Sequence, residues 1–222
     1  MSRYSRVLEL STFSEEKLAI LKSKKVLIVG AGGIGQIVST YLVTNGVENI
    51  TLCDFDVAEM SNLNRQILLT EKHIGEPKTD IVKKQLQKRN GEADIKSLYT
   101  KIDKNNVEDT ISGFDVVVDA VDNWATKLVL SEACKNLKIL FLHVGVDGES
   151  GQFCLFKNKS LLDVVNQEVL KEPRDGVLGP MVGAVSSLAT LHLIRYLVGD
   201  HNFIDTLYFY KAKTNEIVKV KL

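Results

Sequence analysis

The 222-residue chain has few cysteines, no net charge and no long hydrophobic run. Its three cysteines, Cys53, Cys134 and Cys154, are odd in number and widely spaced, which makes a disulfide framework improbable. No C-x-x-C pair exists, so the spacing that holds structural zinc is missing. Lysine plus arginine equals aspartate plus glutamate at 28 each, a balance that gives no reason to expect nucleic acid or an anionic membrane as the main partner. No run approaches membrane-spanning length, and no apolar region follows Met1–Arg6, so a cytoplasmic protein is expected. Internal repeats and low-complexity linkers are also missing. What remains is an ordinary globular composition, 45% hydrophobic and 25% charged, long enough to bury a full core as one domain over residues 1–222.

The chain does carry a nucleotide-binding pattern. The apolar run Lys25–Val29 is followed by Gly30-Ala31-Gly32-Gly33-Ile34-Gly35 and, after a second strand at Asn49–Cys53, by Asp54-Phe55-Asp56. Glycines at such a turn let the backbone approach phosphate oxygens, the following helix supplies N–H donors, and a carboxylate at the second strand end can accept from ribose hydroxyls. Helices are predicted over about Gly33–Asn45, closed by Gly46, and over Pro77 to about Arg89, then over Ala125–Asn136. Strands are predicted near Ile95–Thr100, within Phe114–Ala120 and at Ile139–Val144. Ahead of them, Thr12 with Glu15 reads as a capping box for a short helix bearing Leu18 and Leu21. The βα alternation predicts a doubly wound, mainly parallel Rossmann-like sheet with helices on both faces. After Gly151 the pattern changes to a strand at Gln152–Phe156, an ambiguous Leu161–Leu170, a long helix opened by Pro180, and antiparallel strands at Thr206–Lys211 and Glu216–Lys221. The chain thus divides into an N-terminal arm (1–24), a nucleotide-binding core (25–150) and a C-terminal part (151–222).

Further residues separate nucleotidyl transfer from hydride transfer. Ser61-Asn62-Leu63-Asn64-Arg65-Gln66 follows the acidic strand end, placing an arginine and amides near a phosphate chain. Lys78 opens the next helix and adds a second cation. Asp119-Ala120-Val121-Asp122-Asn123 ends the fourth strand, at the edge where open α/β sheets bind ligands, and a carboxylate there suits magnesium bridging phosphates. NAD needs neither. At these residues, at Arg3-Tyr4-Ser5-Arg6, Gly75–Lys78 and Gly151-Gln152, and at Gly176–Gly183, the sequence closely resembles the ThiF/MoeB/HesA adenylyltransferase family, relatives of the ubiquitin-activating enzymes.

The resemblance implies attack by the C-terminal glycine carboxylate of a small ubiquitin-fold carrier on the α-phosphorus of ATP, in thiamin or molybdopterin synthesis. It implies that Gly30, Gly32, Gly33 and Gly35 lie against the nucleotide and that Asp54, with Asp56 beside it, meets the ribose. Arg65 and Lys78 would neutralise the phosphates, Asp122 would hold magnesium with Asn123 adjacent, and Asn62 and Gln66 would give polar support. Arg6 would reach the site of the neighbouring subunit in a homodimer. The chain departs from the family in lacking both zinc-binding cysteine pairs, so no zinc is expected. It also lacks the cysteine that some members carry before the Gly-Val-x-Gly-Pro stretch, here Glu172-Pro173-Arg174-Asp175. Cys154 is the cysteine singled out for reactivity. Lys127 stands in place of a usual arginine, and the four histidines show no ligand spacing. Two rival readings are a non-catalytic ATP-binding partner of an active relative and an NAD-dependent oxidoreductase.

Overall fold

The computed structural model describes residues 2–166, 170 and 176–222. Strands β1 (Lys25–Val29), β2 (Asn49–Cys53), β3 (Asp94–Leu98), β4 (Val116–Asp119) and β5 (Leu140–Asp147) run parallel in the order β3-β2-β1-β4-β5. Beyond β5, strands β6 (Ser150–Phe156), β7 (Thr206–Lys211) and β8 (Glu216–Lys221) continue the same eight-stranded sheet, each antiparallel to its neighbour. The chain moves outward from β1 to β3 and then returns to the other side of β1. That reversal opens a crevice at the carboxyl ends of β1 and β4, where Val29 pairs with Asp119.

Each central strand alternates between two apolar layers, as a period of two requires. Val26 and Ile28 join the core shared with α3 (Gly33–Thr44), α4 (Lys78–Arg89) and α7 (Gly179–Leu197), whereas Leu27 joins the core beneath α5 (Val107–Ile111) and α6 (Trp124–Asn136). The all-apolar Val116-Val117-Val118 is fully buried because helices cover both faces. Each buried Leu, Ile or Val side chain of this kind contributes roughly 1.5–3 kcal/mol of transfer free energy.

The two tail strands and α3 fall where the sequence predicts them. Several expectations need correction. The helix α2 (Glu15–Ser23) is capped by Ser14, whose side chain accepts from the Lys17 amide, and not by Thr12; Leu18 and Leu21 are buried as expected. Strand β3 starts at Asp94 and stops at Leu98, and β5 extends to Asp147 because β6 pairs with it along its whole length. Leu161–Leu170 opens with one 3-10 turn, Leu161–Asp163, while residues 167–169, like Glu172–Asp175, lie outside the described residues. Two short helices were not anticipated: α1 (Ser5–Leu8), and α5, whose five residues bury only Val107 and Ile111 and so show too little periodicity. No helix among the described residues is long and apolar enough to cross a membrane.

Candidate active site

A cavity of about 990 Å³ occupies the crevice, at the upper end of the usual range for ligand sites. Its floor is the turn between β1 and α3. Gly30 sits at φ +98°, and a Cβ on it would lie 2.5 Å from the carbonyl oxygen of Ala120, so backbone crosses backbone at a distance no side chain allows. Gly32 is the N-cap of α3 and no side chain caps this helix end, which leaves its dipole and amides to the cavity. Gly33 also lines the cavity. Gly35 is not among the lining residues; a Cβ there would sit 1.9 Å from the Gly30 oxygen, so this glycine closes the turn.

Asp54 directly follows β2 and faces the same cavity. Its Oδ2 accepts from the Ala31 amide at 2.6 Å and its Oδ1 from the Asp56 amide at 2.8 Å, so each oxygen keeps a lone pair for a further donor. Burial pushes this carboxyl above the ordinary aspartate value, although the two amide bonds work in the opposite direction. Asp56 accepts from Lys78 Nζ at 2.8 Å, and the Lys78 side chain is only 9% exposed. This lysine is therefore fixed at the wall by a carboxylate that is itself half exposed and within reach of solvent ions.

Arg65 reaches the cavity from the loop between β2 and α4. Its guanidinium donates to the Ser61 carbonyl at 3.0 Å and to Asn64 Oδ1 at 2.9 Å, and it makes no ion pair with any described residue. Both bonds orient the fork without neutralising it. Asn62 and Gln66, expected as ligand contacts, line the cavity but serve the loop first. Asn62 Oδ1 accepts from the Glu59 amide at 3.1 Å, closing a one-turn capping box. The oxygen of Gln66 accepts a long 3.4 Å bond from Gln36, a fully buried residue the sequence reading passed over. Gln36 also donates to Ala31 and accepts from the Leu68 amide at 2.8 Å, tying the loop to the glycine turn.

On the β4 side, Asp122 is exposed at the cavity and Asn123 caps α6, accepting from the Thr126 amide at 2.9 Å. Among the described residues no three His, Cys, Asp or Glu side chains converge as a metal cage. One outward carboxylate is nonetheless the donor set that magnesium uses when phosphates and water supply the remaining positions, so Asp122 fits that ion. Arg6 lies away from this cavity, paired with Glu9 at 2.8 Å and 88% exposed. Its arm is anchored by buried Tyr4, whose hydroxyl contacts Glu48 and Asn90 at 3.3 Å each.

The wall formed by β4, β5 and α6 carries a network that the sequence reading did not assemble. Asp119, fully buried, accepts from Lys127 Nζ at 3.0 and 3.1 Å and from His143 Nδ1 at 2.7 Å. Lys127 donates as well to the Val144 carbonyl at 3.1 Å, and Gln152 contacts His143 Nε2 at 3.2 Å. Burial alone would raise the Asp119 carboxyl, but Lys127 and His143 more than offset it and hold it below the usual range. The only available signal was a carboxylate at the end of β4 with a lysine in the first turn of the following α6, and a histidine on the adjacent strand.

The expectation for Cys154 is corrected. All three cysteines are buried; burial pushes the Cys53 thiol up to about 12 and drives those of Cys134 and Cys154 still higher, so none is a poised nucleophile.

Comparison with known proteins agrees with this geometry. The chain is 32% identical over 200 residues to the molybdopterin-synthase adenylyltransferase of Haemophilus influenzae, covering 87% of this chain and 82% of that protein. It is 30% identical over 228 residues to the sulfur carrier protein ThiS adenylyltransferase of Escherichia coli, covering 96% and 88%. With the adenylyltransferase and sulfurtransferase MOCS3 of Culex quinquefasciatus it shares 33% identity but spans only 49% of that protein's length. The crystal structure of E. coli MccB with ATP superposes with a TM-score of 0.85 at 22% identity, over 99% of this chain and 71% of that one, a likeness of fold. The sequence profile of the ThiF family matches residues 4–222, and the chain belongs to that family.

Proposed function

We propose that the chain adenylates the C-terminal glycine carboxylate of a small ubiquitin-fold sulfur carrier, in thiamin or molybdopterin synthesis, with ATP as co-substrate and release of pyrophosphate. The observation that carries this reading is the gathering of an uncapped helix end, Arg65, Lys78, Asp54 and Asp122 around one cavity. In the reaction a carboxylate oxygen attacks the α-phosphorus, and the bond from that phosphorus to the pyrophosphate oxygen breaks. Two anions must meet, so the main task of the protein is to offset their repulsion. Arg65, oriented but not neutralised, and Lys78 supply positive charge at fixed positions. Asp54 accepts from the ribose hydroxyls and sets the depth of the nucleotide. No general base is required, because a C-terminal carboxyl is ionised at neutral pH. Asp122 is the residue that holds magnesium, which supplies further charge neutralisation on the phosphates when bound.

The chain functions as a cytoplasmic homodimer in this reading, with residues 1–222 forming one adenylation domain and neither nucleic acid nor membrane as partner. Arg6, solvent-directed in its own protomer while Tyr4 anchors the arm, serves the partner's site. No zinc takes part. The acyl-adenylate is consumed by a sulfur nucleophile supplied from outside residues 1–222, since the chain's own thiols are buried. The test is ATP–pyrophosphate exchange with magnesium and a panel of ubiquitin-fold proteins ending in Gly-Gly, E. coli ThiS among them. Exchange that needs both the carrier and its terminal glycine is expected. ATP binding without exchange for any carrier would turn the reading toward a non-catalytic partner.

A further inference from the structure

His143 and Gln152 lie on adjacent antiparallel strands, on the face that carries α6. The register pairs His143 with Cys154 and Gly145 with Gln152, which makes His143 and Gln152 diagonal neighbours. On its other side Gln152 pairs with Phe209 of β7. Gly145, Gln152 and Phe209 all line the cavity, on the antiparallel wing away from the glycine turn. In the sheet order this wing is separated by β4 from β1 and β2, whose ends carry the glycine turn and Asp54, so it is the part of the cavity left for a second substrate if the nucleotide occupies the turn.

The hydrogen bonds fix what Gln152 shows to that wing. Asp119 is held as a carboxylate by Lys127 and can only accept. The 2.7 Å contact therefore requires the ring proton on His143 Nδ1. Burial and the nearby Lys127 keep the ring below its ordinary pKa and hence neutral, in spite of the pull from Asp119. In that tautomer Nε2 is an acceptor, so the 3.2 Å contact from Gln152 is made by its amide nitrogen, and Gln152 donates. With the nitrogen so committed, the carboxamide oxygen is the acceptor left for a ligand in the cavity.

We propose that Gln152, oriented by the Asp119–His143 pair, is a positioning residue that accepts a hydrogen bond from a main-chain N–H of the carrier's glycine tail. The inference rests on the adenylation reading above and adds the group that reads the tail. A glycine tail has no side chains, so it is distinguished only through backbone donors and acceptors and through a channel narrow enough for backbone alone. Gly145 keeps the space beside Gln152 free of a side chain.

Two measurements test this. The first is exchange kinetics with a carrier that is active with the unaltered chain. Gln152→Leu is expected to raise KM for the carrier about tenfold, the worth of one hydrogen bond whose partner is left unsatisfied, with kcat and KM for ATP unchanged. His143→Phe, which keeps the ring contact with Trp124, is expected to raise the carrier KM about threefold through lost orientation alone. An unchanged carrier KM in Gln152→Leu, or an equal rise in KM for ATP, overturns the proposal while leaving adenylation intact. Absence of exchange in the unaltered chain with every carrier overturns the adenylation reading, and the tail contact falls with it. The second measurement needs no variant and no carrier: long-range proton–nitrogen NMR of the histidine-labelled chain. A proton on Nδ1 and a bare Nε2 at His143 are expected near neutral pH; a proton on Nε2 overturns the proposal.

Discussion

On the glycine-turn side of the cavity, Arg65 has donors but no carboxylate, Asp54 keeps a lone pair on each oxygen, and Asp122 is exposed. On the β5 side, Asp119, Lys127 and His143 are buried, and each has its charge or lone pairs met by a neighbour. Both regions gather ionisable groups at the ends of strands, yet they hold charge differently. Groups left with unmet capacity are the ones a ligand can complete. Groups that are fully met within the protein cannot bind strongly to anything else and instead fix the geometry of what lies next to them. The cavity is thus built from a binding half and a bracing half, with Gln152 at the seam.

Substitutions should break the two halves in different ways. The largest effect is expected for Asp122→Ala, which should abolish pyrophosphate exchange while leaving urea unfolding unchanged, because the side chain is exposed and carries no packing. Persistent exchange in this variant would remove the magnesium role. Lys127→Ala should do the reverse and strike stability first. It strands the buried Asp119 carboxylate, a loss of about 3–5 kcal/mol, read as a lower urea midpoint at unchanged slope. An unfolding midpoint like that of the unaltered chain would show that the bracing half braces nothing.

The smallest effect concerns acid stability, away from both halves. His192 packs among Phe153, Phe203 and Tyr208, and burial, with Arg195 and Lys219 adding to it, lowers its pKa to about 4, Asp200 opposing. An unfolded histidine titrates near 6.5, so from there down to about pH 4 the unfolded chain binds a proton that the folded chain refuses. Folding stability should fall across that window as pH is lowered. His192→Phe should flatten the decline, measured as the difference in urea midpoint between pH 7 and pH 5; an identical decline would show that the ring titrates normally. His143 and Asp119, both held low, contribute the same sign in both proteins and do not mask the comparison.

The binding half was legible in the sequence because its parts follow one another along the chain. A strand, a glycine turn and an acidic strand end must be consecutive to make the floor, and Arg65 and Lys78 lie on the loop and helix that come next. The bracing half was not legible because it is assembled across the sheet. Asp119, His143 and Gln152 come from three strands whose neighbours depend on register, and nothing local distinguishes a histidine that anchors a carboxylate from one that fills a core. Local pattern was equally silent on structural duties: Gly35 closes the glycine turn, and Asn123 caps α6 while also lining the cavity. Cys154 was misjudged on the same ground, since its burial follows from the pairing of β6 between β5 and β7 and from nothing in its own neighbourhood.

The central claim is that both halves serve one event, formation of an acyl-adenylate on a glycine tail. Intact-mass spectrometry tests it most directly, on a ubiquitin-fold carrier incubated with the chain, ATP and magnesium, with pyrophosphate removed enzymatically. The expected result is a carrier heavier by one adenylyl group, absent when the terminal glycine is deleted and absent with Asp122→Ala. A carrier whose mass never changes, for every Gly-Gly protein offered and with ATP demonstrably bound, would contradict it.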